Sequence, residues 1–332
     1  MSDYSLNPHY ADSEVKQEPT RAGFGRGLRK AGESNEAIVA LCADLTESTQ
    51  MHLFRDAFPE RFVEIGVAEQ NLVTVASGMA RAGKIPFTSS YAAFSPGRNW
   101  EQIRTTIALN DQPVKIVGSH AGVSVGPDGA THQMLEDIAL MRVLPNMVVV
   151  NPGDAIEAEK ATQAIAENGK PTYLRLAREK TPIFSTDNSP FEIGKAYVLR
   201  QGSDVSLLGT GTLTYQLLML SRLLEERGIS AEVVHVPTIK PLDEHTILES
   251  IRKTGRVITA EEAQIAGGFG SAIAELLSEK NPAPLYRIGM RDRFGESGTP
   301  AELLDHFGLS SSTMLEGALQ FIEKVPQYKP GY

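Results

Sequence analysis

The chain has 332 residues, 41% of them hydrophobic and 22% charged, which excludes a disordered or fibrous polymer and predicts two domains of ordinary size. Lys and Arg number 32 against 41 Asp and Glu, a formal charge of −9 that repels nucleic acid and anionic membranes at long range. No stretch reads as a membrane span or secretory leader and Cys42 is the sole cysteine, so the expectation is a soluble chain of the reducing cytoplasm without disulfides.

The first 20 residues read as a polar arm. From Arg21 onward, short apolar runs at 37–42, 84–88, 114–118, 147–150 and 172–176 predict buried strands. They alternate with helical patterns at 66–81, 99–110, 134–143 and 154–168, which predicts a parallel sheet with helices on both faces. Pro182 and Pro190 bracket a polar run that interrupts this rhythm. The linker is placed at 186–191, between a first domain over 21–185 and a second over 192–326, with a tail at 327–332. In the second domain, strands are expected at 205–208, 231–236, 256–259 and 285–288. Leu213, Leu217, Leu220 and Leu224 mark one face of a helix that Gly228 would cap. The fold class expected is α/β, with two domains, each a largely parallel sheet flanked by helices.

Gly209-Thr210-Gly211-Thr212 and Gly267-Gly268-Phe269-Gly270 each follow a strand and open a helix, so they serve as tight turns or as N–H donors to an anion. Neither completes a dinucleotide fingerprint or a Walker loop, which argues against a self-sufficient nucleotide site. Glu261 and Glu262 read as helix-capping or solvated charge, and Cys42 as a buried structural thiol. Among the seven histidines, His9, His52, His235, His245 and His306 have no partner pattern. His120 and His132 share a glycine-rich loop over 119–133 with Asp128, at the carboxyl edge of the sheet where open α/β folds bind ligands. Two imidazoles and a carboxylate suit proton transfer and hydroxyl recognition; an ordinary loop whose polar groups bond their own backbone is the alternative. Glu69 alone reads as charge placed at a helix start, and Tyr91 and Phe94 as core packing or a stacking surface for a flat heterocycle. Arg21, Arg98 and Arg178 each lie at the edge of a predicted element.

In combination, Ala43-Asp44-Leu45-Thr46-Glu47-Ser48, Gly66-Val67-Ala68-Glu69-Gln70-Asn71 and Asp128-Gly129-Ala130-Thr131-His132-Gln133 resemble the pyrimidine-binding domain of transketolase. Pro237-Thr238-Ile239-Lys240-Pro241-Leu242-Asp243 and Gly267-Gly268-Phe269-Gly270-Ser271 resemble the C-terminal domain shared by transketolases, deoxyxylulose-phosphate synthases and 2-oxoacid dehydrogenase β subunits. The resemblance runs from about residue 20 to residue 324. The Gly-Asp-Gly segment and later Asn with which full-length transketolases hold metal and diphosphate have no counterpart here. The resemblance therefore implies the C-terminal subunit of a split transketolase. A partner N-terminal subunit would bind the diphosphate end of thiamine diphosphate and most of its Mg²⁺, in a heterotetrameric α2β2 assembly.

The resemblance also implies roles. Glu69 would bond a ring nitrogen of the aminopyrimidine while sequestered from water, Phe94 would stack on that ring with Tyr91 beside it, and Asp44 would approach the cofactor. His120 and His132 would line the substrate channel and assist proton transfers, and Asp128 would recognise a sugar hydroxyl. Arg178, Arg21 and Ser48 would bind a phosphate, with no metal ligand in this chain. Ser95-Pro96-Gly97 departs from better-known transketolases beside Phe94. The implied activity is transfer of a two-carbon ketol unit from a ketose phosphate to an aldose phosphate through a thiamine diphosphate ylide, as in the pentose phosphate pathway. Alternatives are a 2-oxoacid dehydrogenase β subunit and a deoxyxylulose-phosphate-synthase-like enzyme. A non-catalytic scaffold is disfavoured by the joint presence of Glu69, Phe94, His120, Asp128, His132 and Arg178.

Overall fold

A computed structural model describes residues 4–328, so parts of the expected arm and tail, 1–3 and 329–332, lie outside the described residues. In chain order the first half contains β1 (Gln17–Glu18), α1 (Thr20–Ser34), β2 (Ile38–Cys42), α2 (His52–Ala57), β3 (Phe62–Glu64), α3 (Glu69–Arg81), β4 (Ile85–Tyr91) and α4 (Trp100–Gln102). It continues with β5 (Lys115–Ser119), α5 (Asp137–Arg142), β6 (Val148–Val150), α6 (Ala155–Glu167), β7 (Thr172–Arg175) and β8 (Thr181–Pro182). The second half contains β9 (Tyr197–Arg200), β10 (Val205–Gly209), α7 (Leu213–Glu225), β11 (Ala231–His235), β12 (Thr238–Lys240), α8 (Glu244–Thr254) and β13 (Val257–Gln264). It ends with α9 (Phe269–Lys280), β14 (Leu285–Met290), α10 (Pro300–His306) and α11 (Ser311–Lys324).

The first sheet has seven strands in the order β12-β6-β7-β5-β4-β2-β3, and all neighbours are parallel except β12 on β6. Both of its faces are covered, which is why β2 is buried at every position: Val39 and Leu41 enter one hydrophobic cluster, and Ile38, Ala40 and Cys42 the opposite one. The second sheet runs β14-β13-β10-β11-β9, parallel except for β9 on β11. Leu213, Leu217, Leu220 and Leu224 are all buried, as their helical spacing requires.

The structure departs from the sequence-based reading where an element is short or half-buried. β3 and β9 have no sustained apolar run, because Phe62, Val63, Tyr197 and Val198 are only partly buried. The expected helix at 99–110 is divided into α4 and a π-helical segment, Ile103–Ala108. β12, within the segment read only for its family resemblance, leaves its own half of the chain to pair antiparallel with β6. The segment before α1 packs on its own chain: β1 pairs with β8, and the Tyr4 ring lies 5.4 Å from that of Tyr197.

Charge expected at the surface is buried at the seam between the halves. Glu261 and Glu262 are 0% and 3% exposed, which corrects their reading as solvated charge. Glu261 does act as a cap, accepting the Phe269 and Gly270 N–H groups at 2.7 and 2.8 Å, and burial pushes its carboxyl up to about 7. The glycine-rich opening of α9 thus already holds a carboxyl group from its own chain. Gly211, at φ +59°, makes a tight turn against Asn151. His235, read as having no partner, is fully buried, its Nε2 2.7 Å from Glu157 Oε2 and its Nδ1 2.7 Å from Thr214 Oγ1. Arg175 completes the seam, donating to Asp137 Oδ2 at 2.8 Å and to the Glu262 carbonyl at 2.8 Å. Cys42 is buried, and burial pushes its thiol pKa up, in keeping with a structural role. Among the described residues, no helix is long and apolar enough to cross a membrane.

Helix α1 approaches α6 through Gly23, where a Cβ would fall 1.9 Å from the Ala155 carbonyl oxygen. Gly78, on α3, has no atom within 4 Å of such a Cβ. Gly23→Ala is expected to destabilise the chain by about 1–3 kcal/mol through overpacking, whereas Gly78→Ala is expected to stabilise it by up to about 1 kcal/mol through helix propensity. Denaturant melts of both variants test the contrast. Equal stability of Gly23→Ala and the parent chain would contradict the helix contact.

Candidate active site

The parallel strands of the first sheet end on one edge, and most expected site residues follow those ends. Arg178 comes after β7, His120 after β5, Tyr91 at the end of β4, Asp44 after β2 and Glu69 after β3. Because the strand order is β7-β5-β4-β2-β3, chain segments distant in sequence deliver these residues side by side.

At one end, Glu69 opens α3 and is only 2% exposed. Its Oε2 accepts Arg98 Nη1 at 2.8 Å, and its carbonyl accepts Asn99 Nδ2 at 2.8 Å. The helix N-terminus and the Arg98 charge offset the cost of burying this carboxylate. The Arg98 guanidinium carbon also lies 4.8 Å from the centre of the Phe94 ring, so a single arginine joins the two residues expected to contact the cofactor. Among the described residues no hydrogen bond reaches Glu69 Oε1. A buried carboxyl with one uncommitted oxygen, linked through Arg98 to an aromatic face, fits the chemistry of an aminopyrimidine.

Glu64 organises the neighbouring turns. Its Oε1 accepts the Asp44 and Gly66 N–H groups at 2.7 and 2.8 Å, and its Oε2 accepts the Thr46 hydroxyl at 3.2 Å. One carboxylate thereby holds Asp44 at φ +57° and Gly66 at φ +77°. The Asp44 side chain is exposed and makes no hydrogen bond or ion pair to Glu69 or Arg98 among the described residues.

In the middle, the Tyr91 ring stacks on His120 at 3.9 Å and on Phe94 at 6.0 Å, while His132 meets Phe94 edge-on at 5.4 Å. His120 is 2% exposed, has φ +58°, and places Nδ1 2.8 Å from Ser119 Oγ. Burial, followed by the charges of Arg21 and Arg178 and by His132, pulls its pKa down to about 3. The ring is therefore neutral at physiological pH, a hydrogen-bonding group rather than a resident cation.

At the other end, Arg21 Nε donates to the Arg178 carbonyl at 3.1 Å and its Nη1 to the Ser48 carbonyl at 2.5 Å. Arg178 Nη1 donates to the Val125 carbonyl at 2.5 Å. Burial and the Arg178 charge lower the Arg21 pKa, the signature of two guanidinium groups that oppose each other. The nearest carboxylate to Arg178 is Glu179, 3.8 Å from Nε. Such a pair has the donors and charge to suit an anion with several acceptor oxygens.

Asp128 lies exposed on the loop and makes no hydrogen bond or ion pair among the described residues, so the structure does not join it to the cluster. Conversely, Arg98, Glu64 and Ser119 take part without having been assigned roles from the sequence. Arg98 carried a sequence signal in its position at an element edge. The described residues contain no group of three or more His, Cys, Asp or Glu side chains arranged to hold a metal ion.

Residues 16–183 match the family described as "Transketolase, pyrimidine binding domain", and residues 194–314 match "Transketolase, C-terminal domain". A protein of Methanocaldococcus jannaschii named as a transketolase C-terminal section is 43% identical over 92% of this chain and 96% of its own length. A 6-deoxy-6-sulfo-D-fructose transketolase subunit of a Clostridium species is 40% identical over 90% of this chain and 92% of its own. Among solved structures, one titled "Split gene transketolase, inactive beta4 tetramer" superposes with a TM-score of 0.87 at 43% identity, covering 93% of this chain and 99% of that one.

The depressed His120 pKa carries a sign. The folded state binds fewer protons at this ring than the unfolded state, whose histidine pKa is about 6.5. The stability contributed is therefore present above about pH 6.5 and is lost as pH falls toward the folded value. In a titration followed by ring NMR signals, His120 is expected to stay neutral from about pH 8 to about pH 4.5. A titration midpoint near 6.5 would contradict the buried, arginine-facing placement.

Proposed function

Since this chain belongs to the transketolase family and carries its pyrimidine-binding and C-terminal domains, we propose that it is the catalytic C-terminal half of a two-chain transketolase. In this reading it transfers a two-carbon ketol unit from a ketose phosphate to an aldose phosphate. The observation that carries the proposal is the single row of groups on the sheet edge: a buried Glu69 linked to Phe94 through Arg98 at one end, His120 and His132 in the middle, and the Arg21–Arg178 pair at the other.

Thiamine diphosphate, when bound, supplies the carbon nucleophile that accepts the two-carbon unit. Glu69 would bond the aminopyrimidine nitrogen and hold or release a proton there, with Phe94 against the ring, Tyr91 beside it and Asp44 near the cofactor. Burial of Glu69 keeps water from competing for that bond. His120 and His132 would face the reacting sugar, His120 as a neutral hydrogen-bonding ring, and Asp128 would read a hydroxyl from the loop. Arg178 and Arg21, held by the Ser48 carbonyl, would take the anionic end of the substrate. The diphosphate and Mg²⁺ would rest mainly on an N-terminal partner subunit in an α2β2 assembly, a reading supported by the "section" and "split gene" descriptions of similar proteins. A cytoplasmic setting suits a chain whose one cysteine is a buried free thiol.

A second reading concerns the donor. The relative named for 6-deoxy-6-sulfo-D-fructose suggests that a sulfonate can take the place of phosphate in such a site, and a guanidinium pair suits either anion.

In the complex reconstituted with its partner, Glu69→Gln is expected to lower turnover of xylulose 5-phosphate with ribose 5-phosphate by at least about 100-fold while the fold is retained. Arg178→Ala is expected to act mainly on KM. Comparison of xylulose 5-phosphate, 6-deoxy-6-sulfofructose and pyruvate as donors separates the readings. Activity with pyruvate alone would reject ketol transfer, and near-normal turnover by Glu69→Gln would remove Glu69 from the chemistry.

A further inference from the structure

Of the two adjacent carboxylates on β13, Glu261 is used up in capping α9, but Glu262 reaches out of its own half of the chain. Its Oε1 accepts the Ser124 N–H at 2.6 Å, and its Oε2 accepts the Thr212 hydroxyl at 3.3 Å. A Cβ on Gly122 would fall 2.4 Å from Oε1, so the loop after His120 passes directly over this carboxylate. One residue beyond Ser124, the Val125 carbonyl accepts Arg178 Nη1 at 2.5 Å. A continuous run of contacts therefore leads from the second sheet, through the short helical turn Val123–Val125, to the guanidinium at the anion end of the site.

We propose that Glu262 is a positioning residue for substrate binding: it clamps residues 122–125 so that the Val125 carbonyl fixes Arg178 toward the anionic end of the substrate. The proposal rests on the reading of Arg178 as an anion-binding group. Its physical basis is that an arginine side chain has many rotamers, and a carbonyl that holds one of them removes the ordering cost from the binding step. That carbonyl is only as fixed as its loop. The loop contains Gly122 and Gly126, at φ +90° and +85°, so its own backbone restrains it weakly. Gln133 Nε2 holds it within the first half by donating to the Val123 and Gly126 carbonyls at 3.0 and 3.3 Å, and the 2.6 Å bond from the Ser124 N–H to Glu262 ties it to the second half. The buried Arg175, which pairs with Asp137, donates to the Glu262 carbonyl and so holds the backbone from which the carboxylate extends. The C-terminal domain thus acts on the substrate without touching it.

The test uses the reconstituted complex, with xylulose 5-phosphate as the varied donor. Glu262→Ala is expected to raise its KM about five- to tenfold, with kcat within about twofold and thiamine diphosphate affinity unchanged, as loss of preorganisation predicts. Glu262→Gln keeps an acceptor oxygen and is expected to return KM to within about twofold of the parent. Arg178→Ala should raise KM at least as much as Glu262→Ala, and the double variant should be no worse than Arg178→Ala alone, since the two act through one contact. Hydrogen exchange on the isolated chain should show faster amides at 122–126 in Glu262→Ala and unchanged protection in β10 and β13. The proposal fails if Glu262→Ala leaves KM unaltered while Arg178→Ala raises it. It also fails if Glu262→Gln is as impaired as Glu262→Ala, or if the double variant shows additive losses. If Arg178→Ala does not change KM either, the anion-site reading falls and the role of Glu262 falls with it.

Discussion

Parallel pairing is the constraint on which the site depends. Because β7, β5, β4, β2 and β3 all point the same way, their carboxyl ends share one edge, and the residue following each strand is delivered to that edge whatever its distance along the chain. Parallel strands with helical crossovers must bury both faces of the sheet, and this chain does so with two hydrophobic clusters, one of which runs on into the second half of the molecule. Both faces of the sheet are thereby committed to packing, and the residues of the candidate site gather at its edge.

That edge is electrostatically polarised. A carboxylate that is 2% exposed stands at one end and two opposed guanidinium groups at the other, with a neutral imidazole between them. Each arrangement costs folding free energy when taken alone: a buried charge needs a partner, and like charges raise the energy of the folded chain. The partners that offset these costs are short-range and specific. Arg98 serves Glu69, backbone carbonyls of residues 48, 125 and 178 serve the arginines, and Ser119 serves His120. For a chain of net charge −9, the arginine pair is a local inversion of the overall field, and the proposed anion site rests on it.

The main architecture was legible in the sequence because buried parallel strands are written as unbroken apolar runs, as in Ile38–Cys42 and Val205–Gly209. Phe62–Glu64 and Tyr197–Arg200 escaped that reading because they lie at sheet edges and are half-buried, and Thr238–Lys240 because its pairing partner belongs to the other half of the chain. Candidate site residues stand out in the sequence where they lie at or shortly after a strand end, as Tyr91, His120 and Arg178 do. Residues whose meaning lies in a distant contact do not. Glu262 meets Ser124 across 138 positions and His235 meets Glu157 across 78, and no local pattern records either pairing. Solvated charge was the wrong expectation for Glu261 and Glu262 because their partners, helix-start amides and a loop from the first domain, appear only in the folded chain.

In the proposed function, this chain supplies the pyrimidine and anion ends of a thiamine diphosphate site and depends on a second chain for the rest. The most direct measurement is cofactor-dependent turnover of a ketose phosphate and an aldose phosphate by this chain alone, by a candidate partner bearing the diphosphate- and metal-binding half, and by their mixture. Turnover is expected in the mixture only. Cofactor-dependent turnover by this chain alone, or a stable mixed complex inactive with every ketose phosphate and ketose sulfonate tried, would contradict the proposal.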